Sequence, residues 1–506
     1  MRRFLWVALA LLVILAAVTV ELATGTTSYV RDHVVEALNA RFGGTVAMEG
    51  LQVHAFPSPG VTGQGLVLRH RGRDDIPPLL SVSSFSATAG ILGLRRSPVR
   101  LETVEVEGLH VNVGPGTKGS GAESPGGLPT IYIDRLTAKN AAFEIWPRDP
   151  AKLPRHFDIH DLEMREVGRT SAASFHASIT NPKPHGRIDT EGTFGPWNPD
   201  DPQRTPLQGD YLFGNANLNT IKGIGGTLSS GGTFEGLLER IIVRGHTETP
   251  DFSIDVAGQP MPLKTTYVAV VDGTNGNTWL ERVEARLRDT LIVAKGEVVR
   301  AREIKGRHIT VDVVIDDGRL EDLLGLAVKA ASAPMSGAIT VKTRLVIPAG
   351  EEDVIDKIQL AGEFAISQAR FANLNVQKRI DDMSRRGRGD GAGENEGQSV
   401  VSNLRGRFTM RDAAIDFSHL SFGVPGAMVQ LAGRYSVRQE WVDFRGDVLL
   451  DASLAEMTTG IKSVAARLAQ PFFRRPGGGT KLPIRIYGNR TKPSFGLDVK
   501  RAFLPG

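Results

Sequence analysis

Residues 403–435 read NLRGRFTMRDAAIDFSHLSFGVPGAMVQLAGRY, and this stretch predicts the fold of much of the chain. Its apolar residues alternate with polar ones in short runs, at Phe408/Met410, Ile415/Phe417, Leu420/Phe422 and Val429/Leu431. A period of two is typical of β-strands with one apolar face, and the Asp, Pro and Gly residues between the runs indicate turns. The stretch therefore predicts short strands in an antiparallel meander.

The same alternation extends over most of the chain, with changes of phase that predict bulges or turns. Val104 and Val106 lie at even positions, whereas Leu109 and Val111 lie at odd ones. A continuous strand cannot change faces, so we expect a break at Glu107-Gly108. Each such slip changes which face of the strand is buried. The sequence therefore does not decide whether the odd-numbered or the even-numbered residues of a given strand face inward.

Three segments have the four-residue spacing of amphipathic helices. They are residues 29–42, Leu320–Ala330 and Leu454–Gln470. Three others are expected to be irregular because they are rich in Gly, Pro or charge: the linker at 114–130, the proline-rich residues 181–206 and a disordered insertion at 385–398.

The N-terminus carries the longest apolar run. After Arg2 and Arg3, Thr19 is the only polar side chain up to Val20. A helix needs about 17–25 apolar residues to span a bilayer, and we expect this run to be a retained transmembrane anchor with a cytoplasmic N-terminus. Cleavage as a signal peptide is the alternative. The candidate anchor residues are Phe4, Leu5, Trp6, Leu12, Ile14 and Val20.

Composition and motifs argue against an enzyme or a nucleic-acid-binding protein. The chain of 506 residues has no cysteine and a net charge of only +4, so thiolate chemistry is excluded and no strong attraction to nucleic acid is expected. His156 and His160 are four residues apart, but their segment alternates like a strand, which would not bring two imidazoles together. We therefore predict no catalytic residue, metal or cofactor, with an unrecognised hydrolase as the remote alternative.

The order of these parts resembles the AsmA family of bacterial envelope proteins. The resemblance is carried by FGGTVAMEGLQVHAFPSPGVTGQGLVL (42–68), by PPLLSVSSFSATAGILGLRRSPVRLETVEVEGLHVNV (77–113) and by the stretch quoted above together with LPIRIYGNRTKPSFGLDV (482–499). It implies a mostly β fold: an elongated, curved antiparallel sheet that forms a hydrophobic groove, with an N-terminal transmembrane helix and a few short amphipathic helices.

The resemblance also implies a function, since members are similar to bridge-like lipid-transfer proteins and are associated with outer-membrane biogenesis. The expected protein is anchored in the bacterial inner membrane by a single pass, has most of its chain in the periplasm and carries or shields phospholipid acyl chains. Its expected partners are the inner membrane, phospholipids and other envelope proteins or further copies of itself. The alternative is a scaffold for the assembly of outer-membrane proteins without lipid transport.

A sheet with one apolar face must bury that face somewhere. It can pack as a sandwich, close into a barrel or curl around acyl chains, and the resemblance favours the last. The candidate groove-lining residues are Val104, Val106, Ile339, Val341, Phe408, Met410, Ile415, Phe417, Leu482, Ile484 and Ile486. The predicted regions are an anchor (1–23), an N-terminal module (24–113), the linker, a middle region (131–348) and a C-terminal region (349–506).

Overall fold

The fold is described from a computed structural model. It describes residues 44–54, 58–70, 78–94, 99–113, 131–145, 155–168, 170–197, 201–254, 257–301, 304, 306–327, 332–350, 352–372, 374–389, 400–453, 473, 478–489 and 493–498. The predicted anchor, the predicted helices at 29–42 and Leu454–Gln470, the linker at 114–130 and residues 390–398 lie outside the described residues.

The described residues are mostly β, as expected from the alternation. The first thirteen strands are β1 (Gly44–Ala47), β2 (Gly50–His54), β3 (Gly60–His70), β4 (Leu80–Thr88), β5 (Val99–Glu107), β6 (His110–Val113), β7 (Ile131–Ile145), β8 (Arg155–Val167), β9 (Ala173–Pro182), β10 (His185–Phe194), β11 (Pro206–Asn217), β12 (Ile224–Gly225) and β13 (Thr227–Leu237).

Thirteen further strands follow. They are β14 (Arg240–Ile254), β15 (Ala257–Val271), β16 (Thr278–Leu287), β17 (Thr290–Arg300), β18 (Arg307–Arg319), β19 (Met335–Ile347), β20 (Gln359–Phe371), β21 (Ser402–Arg411), β22 (Ala414–Val424), β23 (Ala427–Ser436), β24 (Trp441–Leu450), β25 (Thr480–Asn489) and β26 (Ser494–Leu497). The described α-helices are α1 (Ile91–Leu94), α2 (Leu320–Ala327), α3 (Val354–Lys357) and α4 (Leu374–Arg388).

All of these strands belong to one mixed sheet. Neighbours along the chain pair mostly as antiparallel hairpins, as predicted, but β7 pairs in parallel with both β5 and β6. The expectation of a purely antiparallel sheet is therefore wrong at this point. Parallel neighbours require a long crossover rather than a hairpin turn, and the 17 residues of 114–130 between β6 and β7 provide the length.

Contacts divide the chain into two compact units. Unit 1 comprises Met1–Thr220, Thr227–His246 and Val270–Gly276, and unit 2 comprises Ile221–Gly226, Thr247–Ala269 and Asn277–Gly506. The division falls inside the predicted middle region.

Unit 1 contains a closely packed hydrophobic core formed by strands β1–β7. Leu66, Leu80 and Val111 are almost fully buried in it. The break predicted at Glu107-Gly108 is confirmed, because β5 ends at Glu107 and Gly108 has a positive φ of 63° before β6 begins. The phase change thus lets the side chains on both sides of the break enter one core.

Residues 181–206 are irregular only in part, contrary to the expectation. Half of them belong to the end of β9, to β10, which forms a hairpin with β9, and to the start of β11. Pro182 ends β9 and Pro184 lies in the turn, where a missing N–H does not interrupt the strand ladder. Proline content therefore marked the ends of these strands rather than an absence of strands.

Helix α2 confirms the helix predicted from Leu320, and it is described as far as Ala327. Helix α4 corrects the disordered insertion at 385–398, since residues 385–388 form its last turn. Three basic side chains lie in this turn, where they interact favourably with the negative end of the helix dipole. The high density of charged residues in 385–388 was interpreted as disorder, although these residues are helical.

A pair of substitutions tests the close packing of the strands. A Cβ on Gly446 of β24 would overlap the carbonyl oxygen of Gln430 on β23, whereas a Cβ on Gly423 of β22 would meet no heavy atom within 4 Å. Gly446→Ala should lower the free energy of unfolding by about 1–3 kcal/mol through overpacking. Gly423→Ala should be neutral or raise it by about 0.4–1 kcal/mol, because it restricts the unfolded chain. Urea unfolding of both variants measures the difference, and equal effects would contradict the described approach of β23 to β24.

Candidate functional site

The strand register of unit 2 places one apolar side chain after another on the same face of the sheet. Directly paired residues in antiparallel strands project to the same side. Phe408 pairs with Phe417 and Phe422 pairs with Val429. Val429 in turn pairs with Val448, which pairs with Leu482. The alternating runs of the sequence therefore share one surface.

We call this surface the apolar face. None of its registered positions from β18 to β26 holds a charged residue. The residues that define its central part are Ile309, Val311, Val313, Val341, Leu345, Leu360, Phe364, Leu404, Phe408, Met410, Ile415, Phe417, Leu420, Phe422, Val429, Leu431, Val442, Phe444, Val448, Leu482, Ile484 and Ile486. All except the buried Met410 are half-buried.

A ladder of phenylalanines crosses the middle of the apolar face. The ring centroids of Phe364 and Phe408 are 6.2 Å apart, those of Phe408 and Phe417 are 6.5 Å apart, and those of Phe417 and Phe444 are 5.7 Å apart. The rings are tilted by 47–48° to each other, an arrangement that aromatic pairs favour over a face-to-face sandwich.

Glycines on the same face make room for these rings. Phe364 pairs with Gly406 and Phe408 pairs with Gly362, while both Phe417 and Phe444 pair with Gly433. A Cβ on Gly406 would come within 2.6 Å of the Phe364 ring. The Phe residues therefore lie over strand backbone that carries no side chain.

Unit 1 repeats this arrangement on a smaller scale. Phe175 pairs with Gly192, which pairs with Gly209, and Gly209 pairs with Phe234. The two phenylalanines are half-buried, and a Cβ on Gly209 would come within 2.8 Å of the Phe234 ring. Strands β9 and β13 thus also carry apolar side chains that the β1–β7 core does not enclose.

The opposite face of unit 2 carries cross-strand ion pairs. Arg434 forms a bidentate pair with Asp416, with N–O distances of 2.7 and 2.8 Å. Arg485 pairs in the same way with Asp443, at 3.0 Å for both bonds. The pKa of each carboxyl lies below its usual range because it accepts these guanidinium hydrogen bonds. The opposite face therefore differs from the apolar face in carrying paired charges.

Helices α2 and α4 contact the apolar face at one end of its strands. Leu320, Leu323 and Leu324 of α2 pack with Ile339 and Ile366 of the sheet. Ile380 and Met383 of α4 pack with Val424, Ala427 and Leu450. These sheet residues are almost fully buried, whereas the central part of the face is not.

The sequence-predicted lining residues fall into three places. Val104 and Val106 lie inside the packed β1–β7 core, so they are not exposed on any groove. Ile339 lies at the end of the apolar face that α2 contacts, and Val341, in the central part, packs against the same cluster. Phe408, Met410, Ile415, Phe417, Leu482, Ile484 and Ile486 lie together on the apolar face. The predicted anchor residues lie outside the described residues.

Sequence reasoning missed two members of the aromatic ladder, Phe364 and Phe444, as site residues. Both belong to alternating runs, Leu360 to Ile366 and Val442 to Val448, so their strands were recognisable. The additional signal was a glycine two residues away in the same run, as in Gly362-x-Phe364 and Phe444-x-Gly446. That spacing places a ring and a gap on the same face of one strand.

Other candidate sites are weaker. An open depression of about 280 Å³ beside the β18 bulge is lined by Asp316, Asp317 and Arg405 among others, which is smaller than the usual range of about 300–1,000 Å³ for ligand pockets. The described residues contain no group of three or more His, Asp or Glu side chains suited to a metal ion. His160 lies in a strand, as predicted, and its Nε2 is 2.7 Å from Thr180 Oγ1.

Comparison with models of protein families, with curated proteins and with solved structures found no match to this chain. Within the described part of the chain, no helix combines the length and the apolar character needed to cross a membrane. The apolar face is therefore interpreted from its own geometry, together with the sequence resemblance.

The ion pairs of the opposite face predict a dependence of stability on pH. Because the pKa values of Asp416 and Asp443 are lowered in the folded state, their contribution is complete above the unfolded value of about 4. It is lost as the pH falls through the lower folded values. The urea midpoint of the Asp416→Asn/Asp443→Asn variant should therefore fall less steeply than that of the wild type between about pH 5 and 2.

Asp317→Asn is the control for this measurement, since it removes an exposed carboxylate outside the two pairs. Its midpoints should follow those of the wild type. Parallel curves for the double variant and the wild type would show that the two ion pairs contribute nothing to folding.

Proposed function

We propose that the apolar face of unit 2 shields phospholipid acyl chains, and that the protein does so in the periplasm while anchored to the bacterial inner membrane. No catalytic group takes part in this function. The observation that carries the proposal is a surface of nine strands without a charged position, of which the central side chains are only half-buried. Hydrocarbon is the ligand that such a surface accommodates without leaving polar groups unpaired.

The size of the surface supports this choice. Nine strands at a spacing of about 4.8 Å extend over roughly 40 Å, and ten residues of strand extend over roughly 33 Å. One acyl chain fills about half of a hydrocarbon core of about 30 Å, or roughly 15 Å. The apolar face is thus large enough for several chains side by side.

The glycines support a concave surface. At Gly296, Gly433 and Gly446 a Cβ projecting from the apolar face would overlap a carbonyl oxygen of the neighbouring strand. Each neighbouring backbone therefore rises towards the apolar side, as expected of a sheet that bends towards that side. A concave apolar surface holds acyl chains away from water better than a flat one.

The β1–β7 core supports the proposal by contrast. It shows that this chain can bury apolar strands completely where they pack against each other. The apolar face has the same side-chain types but leaves the phenylalanine ladder half-buried. In a β-sandwich, a second sheet would cover these rings fully.

The cellular location rests on the sequence. The apolar run from Phe4 to Val20 supports a membrane anchor, and the two arginines before it support a cytoplasmic N-terminus. The resemblance to the AsmA family supports a role in outer-membrane biogenesis. Other envelope proteins or further copies of the chain would complete the path to the outer membrane.

A scaffold for outer-membrane proteins is the second candidate, and β26 is the observation that favours it. This strand pairs with β25, and no strand in the described part of the chain pairs with its other side. Phe495 and Leu497 are 70% and 53% exposed there. An open strand edge can pair with a strand of another protein.

Phe408→Lys tests the lipid proposal. It introduces one charge in the phenylalanine ladder, where hydrocarbon cannot solvate it, so the amount of phospholipid that co-purifies with the full chain should fall at least fivefold by mass spectrometry. Thr409→Lys is the matched control, because Thr409 is the next residue of β21, is exposed and points to the opposite face. It should retain the lipid of the wild type.

Two results would contradict the proposal. One is a wild-type chain that carries no phospholipid and extracts none from vesicles of phosphatidylethanolamine and phosphatidylglycerol. The other is a Phe408→Lys variant that is folded by circular dichroism and carries as much lipid as Thr409→Lys. If outer-membrane assembly nevertheless depended on β26, the scaffold would be favoured.

A further inference from the structure

The strands of unit 2 end in two rows that differ in structure. One row contains the ends of β18, β20, β22 and β24 and the starts of the strands that follow them, which are adjacent in the register. We call it the helix rim, because α2 and α4 connect strands there. The other row contains the turns at 348–358, 412–413 and 437–440, and we call it the turn rim.

The helix rim is closed over the apolar face. Ile315, Ile339 and Ile366 lie near this rim and are 4–6% exposed. Residues of the same strands nearer the turn rim, such as Ile309 and Leu360, are half-buried. The apolar face is therefore more exposed near the turn rim than near the helix rim, with the buried Met410 and Gly488 as exceptions.

Polar contacts hold the helices of this rim in place. Thr290 donates a hydrogen bond of 2.9 Å to the Asp322 carboxylate of α2, and both side chains are almost fully buried. In α4, the buried Ser384 donates a bond of 2.7 Å to the Pro425 carbonyl. Gly387 lies so close to Gly426 that a Cβ would overlap the Gly426 carbonyl oxygen. Movement of either helix would break buried hydrogen bonds.

The described connections of the turn rim are much smaller. Asp412 and Ala413 form a two-residue turn with φ values of 51° and 53°, and residues 437–440 form another short turn. The connection at 348–358 contains only the single-turn helix α3, which has no buried residue. These turns are short, and α3 contacts the 437–440 turn through the ion pair of Asp356 with Arg438.

The turn rim also carries charges of both signs. Arg438 forms an ion pair with Asp356 and lies 4.0 Å from Asp353. Arg411 and Asp412 are exposed in the neighbouring turn. Such a rim complements a head group that itself carries both charges. At the helix rim, Lys378 and Arg386 of α4 are also exposed. Unlike the charges of the turn rim, they are separated from the sheet by the buried side of their helix.

We propose that phospholipids enter and leave the apolar face sideways across the turn rim, with the acyl chains pointing towards the helix rim and a zwitterionic head group held among the turns. This inference rests on the proposed function and adds the orientation of the lipid. The occupant is a phospholipid rather than a peptide, because an uncharged face with few hydrogen-bonding side chains, such as Thr343 and Tyr435, would leave most of a peptide backbone unsatisfied.

The absence of native cysteine allows site-specific labelling of the full chain. Gln439→Cys places a bimane label on the turn rim and Lys378→Cys places it on the helix rim, both at exposed positions. Each labelled protein is mixed in detergent micelles with phosphatidylcholine that carries a nitroxide on its choline group. Quenching should be at least twofold stronger at position 439 than at position 378.

A second lipid separates failure of the inference from failure of the proposed function. Phosphatidylcholine with a nitroxide in the middle of an acyl chain should quench the added fluorescence of a Phe417→Trp variant, which reports binding on the apolar face. If this quenching occurs but the head-group probe quenches position 378 as strongly as position 439, the proposed orientation is wrong. If the added fluorescence of the Phe417→Trp variant is not quenched, lipid does not bind to the apolar face and both proposals fail.

Discussion

The register between strands is the constraint on which the structure of unit 2 depends. Pairing of β18 to β26 keeps apolar residues opposite apolar residues, and a slip of one position in any strand from β18 to β25 would turn its charged residues onto the apolar face. β-Bulges maintain this pairing of apolar residues with apolar residues. In β22 the extra residue lies between Phe417 and Leu420, and comparable shifts occur at Ile315/Gly318 in β18 and at Ile366/Ala369 in β20. Each bulge lets a sequence that changes phase keep its apolar side chains on one face.

The two faces then stabilise the sheet in different ways. On the polar face, Arg344 pairs with Asp312 across β18 and β19 in the same manner as Arg434 with Asp416. Such exposed pairs contribute little individually, but a face covered with charges does not associate with another sheet. The apolar face has aromatic rings lying over glycines, which permits close packing within the sheet itself. Neither arrangement requires a second sheet.

The sequence allowed prediction of the features that depend on local pattern. Alternation identified most strands, the phase change identified the break at Glu107-Gly108, and four-residue spacing identified α2. It did not show that Ile415/Phe417 and Leu420/Phe422 belong to the one strand β22, because a bulge and a turn produce the same slip of phase. It also did not show whether the odd-numbered or the even-numbered residues of each strand lie on the apolar face. That depends on partners distant in sequence, as in Phe444 with Ile486.

The positions of the predicted lining residues show what the alternation of apolar residues leaves open. Val104 and Val106 alternate as regularly as Ile484 and Ile486, yet the former are enclosed in a core and the latter lie on the half-buried apolar face. Alternation reports that one side of a strand avoids water, but it does not report what covers that side. For β1–β7 the cover is other strands of unit 1, and at the helix rim it is α2 and α4. The distinction between a core and a binding surface therefore arises only from tertiary contacts.

Under the proposed lipid-shielding function, the uniformity of the apolar face has a consequence for selectivity. Hydrocarbon on such a surface has no hydrogen bond to satisfy, so one position along the strands is nearly equivalent to the next and no fixed stoichiometry is imposed. Discrimination between lipids must then come from groups that contact the polar end of the molecule. In unit 2 the turn rim carries charged side chains such as Arg438 and Asp356, which form an ion pair. Substitutions on the face should therefore change how much lipid is held, whereas substitutions in the turns should change which head group is preferred.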